Sequence, residues 1–225
     1  MNTVVCRLGR REYVETWQAM RRFTDARNAD TPNEIWLLEH TPVYTLGLGG
    51  KREHVLDAGG VPVVHCDRGG QVTYHGPGQV VAYLLLDLRR LHLGAKELVA
   101  RTESAVIDTL AVYDIAAERR RGAPGVYVGE TKIAALGFRI RRSCCYHGVA
   151  LNVDMNLEPF TRINPCGYAG LRVTQVRDQG VEENAEAVGV ELLAHLLKAF
   201  GGSVTDHQPY FSSPCYAAEL EADLQ

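Results

Sequence analysis

The stretch INPCGYAG, residues 163–170, holds the residue best suited to covalent chemistry. Asn164-Pro165 before Cys166 and Gly167 after it predict a tight, exposed turn. A thiolate there is a nucleophile, and neighbouring backbone N–H groups suit a developing oxyanion. Cysteines are more often buried small hydrophobes than reagents, but turn residues seldom belong to a core. A nucleophilic thiol also needs a partner that favours the thiolate. Candidates are His75, His147 and the four lysines Lys51, Lys96, Lys132 and Lys198. Lys132 opens KIAALGFRI just after Gly129, so it stands at the mouth of a predicted strand and not on a solvent-facing helix. The chemistry this set offers is group transfer or hydrolysis through a cysteine.

A second stretch, RGGQVTYHGPGQ at 68–79, carries no cysteine, acid pair or lysine. Its glycines lack Cβ and let backbone approach something closely. It is neither a P-loop nor a dinucleotide fingerprint, since GLGG at 47–50 and GPG at 76–78 fall outside both frames. No H-E-x-x-H or G-x-S-x-G occurs. His65-Cys66 and Cys144-Cys145-x-His147 cluster possible ligands, but adjacent residues rarely chelate one ion tetrahedrally, so no metal is expected.

The elements around these stretches predict one domain spanning residues 1–225. A helix is expected over Arg11–Asn28, with Tyr13, Val14, Trp17, Met20 and Phe23 on one face. A second is expected over Ala95–Asp114, and a third within Val181–Phe200, closed by Gly201-Gly202. Strands are expected at Glu34–His40, Val43–Leu48, Val61–Cys66, Val80–Leu88, Gly125–Val128, Lys132–Arg141 and Gly148–Asp154. Strands follow one another without regular helix alternation. That predicts an α/β fold of the α+β type, a mixed, partly antiparallel sheet flanked by helices. A net charge of −3 argues against a nucleic-acid partner. No run approaches the roughly 18 apolar residues that span a bilayer. The start lacks a signal-peptide pattern, so a cytoplasmic protein without a membrane partner is expected. Six cysteines without a C-x-x-C pair suit a reducing setting.

RGGQVTYHGPGQ, KIAALGFRIRR, HGVALNVDMNLEPF and INPCGYAG, in that order, resemble the lipoyl(octanoyl) transferases. That family is related to the biotin and lipoate protein ligases. The resemblance implies their fold, and transfer of an octanoyl group from octanoyl-acyl carrier protein to a lysine of a lipoyl domain. The acceptors it implies are the lipoyl domains of 2-oxoacid dehydrogenase complexes and the glycine cleavage H protein. It makes Cys166 the acylated nucleophile and Lys132 its catalytic partner. It assigns acyl binding to Arg68, Gly69, Gly70, Gln71, Val72, Thr73, Tyr74 and His75, to Ala135, Leu136 and Gly137, and to Gly148, Val149 and Ala150. No cofactor or nucleotide is implied. Because such carriers are acidic, Arg139, Arg141 and Arg142, or Arg119 to Arg121, are expected to form a basic docking face. Cys144 and Cys145 depart from the family pattern, and a place near the site would expose them to oxidation.

Overall fold

The central strand is where the sequence is most apolar. In QVVAYLLLD, β6 (Gln79–Asp87), every residue but the last is buried. Val80, Ala82, Leu84 and Leu86 join one core, and Val81, Tyr83 and Leu85 join another. A strand covered on both faces loses the apolar–polar alternation of a half-exposed one. The computed structural model describes residues 3–165 and 170–201. Cys166 and Gly202 lie outside the described residues, and with them the predicted thiol turn and half of the predicted C-cap.

The other strands are β1 (Thr3–Arg11), β2 (Asn33–His40), β3 (Val43–Leu46), β4 (Val63–His65) and β5 (Val72–His75) before β6. After it come β7 (Glu118–Arg120), β8 (Ala123–Val128), β9 (Thr131–Arg141) and β10 (Cys144–Asn152). The large sheet has the order β1-β2-β6-β10-β9-β8-β7. Its β1–β2 pair is parallel and the other pairs are antiparallel. The mixed, partly antiparallel sheet is as expected. A second, small sheet of order β4-β3-β5 was not foreseen. It gives the glycine loop a strand of its own, since β5 pairs with β3 across Val43↔His75 to Leu46↔Val72.

Among the described residues three helices cover the large sheet: α1 (Tyr13–Ala26), α2 (Ala95–Ala111) and α3 (Ala185–Phe200). Helices α2 and α3 pack on the face of Leu84 and Leu86, with Leu98, Val106, Leu192 and Leu196 at the centre. Helix α1 packs on the other face through Ala19, Met20 and Phe23. It starts at Tyr13, later than expected, because β1 runs on through Arg11. Val14 is correspondingly 40% exposed, although the helical spacing had put it on the buried face. Asn184 caps α3 by accepting from the Ala187 N–H, and Gly201, left-handed at φ +83°, closes it. Among the described residues no helix is long and apolar enough to cross a membrane.

Candidate active site

Lys132 lies at the start of β9 and is 4% exposed. Its Nζ donates to the Pro124 carbonyl at 2.9 Å and sits 5.2 Å from the centre of the Tyr127 ring. Room for this side chain depends on Gly125, whose φ is +141°. A Cβ at Gly125 would come within 2.7 Å of Lys132 Cε and 2.9 Å of Ala134 O. The Lys132 backbone is held by the segment that follows the undescribed residues. Its N–H donates to Arg172 O at 3.0 Å, and its carbonyl accepts from Thr174 N at 2.9 Å. On the other side of residues 166–169, Pro165 shares with Lys132, Thr73, Gln79, Ala135 and Asn152 the wall of one small cavity. The described chain therefore reaches Lys132 from both ends of the N-P-C-G stretch.

Thr73 and Ala135 also line a larger cavity, roofed by the glycine loop and floored by β9 and β10. Arg68, Gly70, Gln71, Val72, Thr73, His75, Ala135, Leu136, Gly137, Gly148, Val149 and Ala150 all line it, so twelve of the fourteen predicted binding residues meet there. Gly69 and Tyr74 do not line it. Gly69 instead fastens the loop to β9, its N–H donating to Phe138 O at 2.9 Å, and lines the groove beyond Lys132. Tyr74 points the other way, because alternate residues of β5 face opposite sides. It packs in a separate cluster with Tyr44 and Phe160.

Arg68, 8% exposed, spends its guanidinium on the loop itself. It donates to Thr45 O (2.6 Å), Thr45 Oγ1 (2.8 Å), Gln71 O (2.8 Å) and Gly69 O (2.9 Å). GLGG, the other glycine cluster, supplies the seat: Gly47, Leu48 and Gly49 donate to the carbonyls of Gln71, Arg68 and Gly70.

His75 is committed in the same way. Its Nδ1 lies 2.7 Å from Gln79 Oε1, and its Nε2 lies 3.4 Å from Thr45 Oγ1. Since the Gln79 amide nitrogen donates to Tyr74 O and Asn152 Oδ1, its oxygen faces His75 and Nδ1 carries the proton. Asn152 passes the chain on to Thr174 O, beside the Lys132 backbone.

Beyond His75 the cavity wall is a patch of polar aromatics, of which sequence reasoning had singled out only His147 as a functional candidate. Tyr13 stacks on His75 at 5.9 Å, His40 meets both rings edge-on, and His40 Nε2 lies 2.7 Å from the Tyr83 hydroxyl. His147 meets Tyr83 edge-on, and its Nε2 donates to Asp67 at 3.2 Å. Tyr146 and Trp17 donate to the same carboxylate. Burial alone would raise the Asp67 pKa, but hydrogen bonds from His147, Tyr146 and Trp17 outweigh it and hold the carboxyl well below its usual range. His147 itself is pushed down by burial, only partly offset by Asp67, and stays neutral at neutral pH. It also has φ +63°, a conformation that costs a non-glycine residue energy.

Burial likewise holds His75 down at about 3 and His40 at about 4. Both fold as neutral rings, while the unfolded chain binds protons below about pH 6.5. Between those limits the unfolded state takes up more protons, so stability falls as pH falls from about 6.5 towards 4. The expected loss is on the order of a few kcal/mol by pH 4. Thermal melts of the wild type and of His40→Gln/His75→Gln across pH 4–8 check this. A wild-type Tm flat over that range would show that the rings are not buried neutral.

Cys144 and Cys145 sit at the far end of β10, paired with Arg141 and Ile140, whereas the Lys132 end of β9 faces Leu151. The expectation that these two thiols lie near the site is corrected by this register. Burial pushes the Cys145 thiol up to about 12, so it is a core residue rather than a reagent. Arg141 and Arg142 belong to the same remote end, where Arg141 pairs with Asp25 at 2.9 Å.

Residues 12–197 match the lipoyl protein ligase A/B catalytic domain. The chain belongs to this family. Similar family members include an octanoyltransferase of Dechloromonas aromatica, 63% identical over 88% of this chain and 97% of that protein. Another is the octanoyltransferase of Alkalilimnicola ehrlichii, 59% identical over 85% of this chain and 89% of that one. The family fold is seen in a lipoate-protein ligase A bound with ATP, at a TM-score of 0.79 and 14% identity over 99% of this chain and 94% of that one. It is seen more distantly in a biotin protein ligase from Aquifex aeolicus, at a TM-score of 0.56 and 12% identity over 89% and 70% of the two chains.

Proposed function

We propose that this chain transfers octanoyl from octanoyl-acyl carrier protein to the ε-amine of a lysine on a lipoyl domain. The acceptors are those of 2-oxoacid dehydrogenase complexes and the glycine cleavage H protein, and the setting is the cytoplasm. The octanoyltransferases at 59–63% identity support the reaction class. The observation that carries the reading is Lys132, a buried lysine bounded by Pro165 and Arg172, the near flanks of Cys166. Beside it runs a cavity walled by Val81, Leu136, Val149 and small residues, suited to an unbranched acyl chain.

In the proposed sequence Lys132 Nζ takes the Cys166 thiol proton as sulfur attacks the thioester carbonyl. A carbon–sulfur bond forms at Cys166, the donor's carbon–sulfur bond breaks, and the departing thiol receives the proton from Lys132. The acyl-enzyme is again a thioester, so activation is conserved and no nucleotide is spent. The acceptor amine then attacks, giving its proton to Lys132. A carbon–nitrogen bond forms, and the Cys166 thiolate leaves and takes that proton back. His75 and Arg68, with their hydrogen-bonding groups engaged inside the loop, keep the cavity roof in place and leave proton transfer to Lys132.

The test is transfer to an isolated lipoyl domain, read by intact mass. With octanoyl-acyl carrier protein and no nucleotide, the domain gains one octanoyl group. With free octanoate plus ATP it gains none. Dependence on ATP would assign the chain to the ligases and overturn the reading.

A further inference from the structure

Beside the Lys132 groove the protein presents an open, strongly polar cleft. It is lined by Arg120, Arg121, Glu130, Leu171 and Arg172, among others. It shares Gly122, Ala123 and Tyr127 with the apolar groove into which Lys132 projects, so the two are continuous. Three guanidinium groups face one carboxylate here. That carboxylate, Glu130, is taken by Arg120 at 3.0 Å, and Arg120 also lies over the Tyr127 ring, 4.6 Å from its centre. Arg121 and Arg172 are exposed and have no side-chain partner among the described residues. The Arg172 carbonyl is one hydrogen bond from Lys132. Two exposed arginines at the mouth of an apolar groove suit an anion with several acceptor oxygens, to which guanidinium binds in bidentate fashion.

We infer that Arg121 and Arg172 form a phosphate subsite for the thioester donor, with the donor's arm lying along the apolar groove towards Lys132. This rests on the octanoyl-transfer reading, because it needs a donor thiol that carries a phosphate at the far end of its arm. The apolar walls Ala95, Leu98, Val99, Leu136 and Phe138 take the arm's methylenes, and the arginines fix its end. The phosphate then adds binding without touching the reacting carbonyl.

The test compares two small donors, S-octanoyl-pantetheine and S-octanoyl-4′-phosphopantetheine, on wild type and Arg121→Gln/Arg172→Gln. Wild type is expected to favour the phosphorylated donor by about tenfold in kcat/KM, and the double variant to bring that ratio close to one. Arg172→Lys should restore part of the preference, since a point charge replaces a fork. Titration of the unacylated phosphopantetheine and pantetheine reads the same ratio as Kd, with no turnover required. An equal preference in wild type and double variant, by either readout, overturns the subsite. Loss of transfer from both donors in wild type would count against the octanoyl-transfer reading alone, and the Kd ratio would still decide the subsite.

Discussion

Lys132→Met is expected to lower octanoyl transfer by about a thousandfold while leaving the fold in place. The side chain is buried against Tyr127 and Pro124, so methionine fills most of its volume with apolar atoms. Methionine leaves the Pro124 carbonyl without this donor, which costs about 1–3 kcal/mol, so Tm should fall by no more than about 10 °C. The activity loss follows because each half-reaction passes one proton through Nζ. Lys132→Arg is expected to be equally slow, since a guanidinium is a fixed charge that neither takes up nor releases a proton at neutral pH. That pair of variants separates an electrostatic role from proton transfer. Near wild-type transfer by the arginine variant would exclude Lys132 as the acid and base.

Gly148→Ala is expected to cost a large part of the fold's stability. Gly148 stands on β10 opposite Tyr83 of β6, in the middle of the large sheet. A Cβ there would lie 2.0 Å from Ala82 O and 3.1 Å from Tyr83 Cα, both backbone atoms of the adjacent strand. No rotamer relieves such a contact, so the two central strands must part. The cost is about 3 kcal/mol or more, against a typical total of about 5–15 kcal/mol. In a chain of this size that corresponds to a Tm about 10 °C lower. Gly94→Ala is the control: a Cβ there meets nothing within 4 Å, and its Tm should stay within about 3 °C of wild type. Equal melting of both variants would mean that β6 and β10 are not packed as described.

Why some of this was readable in sequence and some was not has physical causes. Strand β6 was visible because burial on both faces leaves an unbroken apolar run, and α3 because its spacing and its glycine stop agree. Strand β1 was not, since its buried Cys6 and Leu8 flank an arginine and its last third, Gly9 to Arg11, is exposed or half-buried. Strand β5 hid inside a glycine-rich stretch, four residues long and defined only by its pairing with β3. The acyl-cavity residues came in blocks because each block is one strand or loop of a shared wall. The polar patch of Tyr13, His40, Asp67, Tyr83 and His147 could not be read in that way. Each of its members comes from a different segment, and only sheet closure brings them together. A tyrosine within the apolar run of β6, and His147 as a candidate partner for the thiol, were the available signals.

The central claim is a covalent octanoyl group on Cys166. Intact-mass spectrometry of wild type, Cys166→Ser and Lys132→Met, each mixed with octanoyl-acyl carrier protein and no acceptor, addresses it directly. Wild type is predicted to gain the mass of one octanoyl group, lost on treatment with hydroxylamine and mapping to the peptide that contains Cys166. Cys166→Ser is predicted to gain no such thioester, and Lys132→Met to gain it far more slowly. Full transfer to a lipoyl domain by Cys166→Ser, or an octanoyl group mapping to another residue of the wild type, would contradict the account.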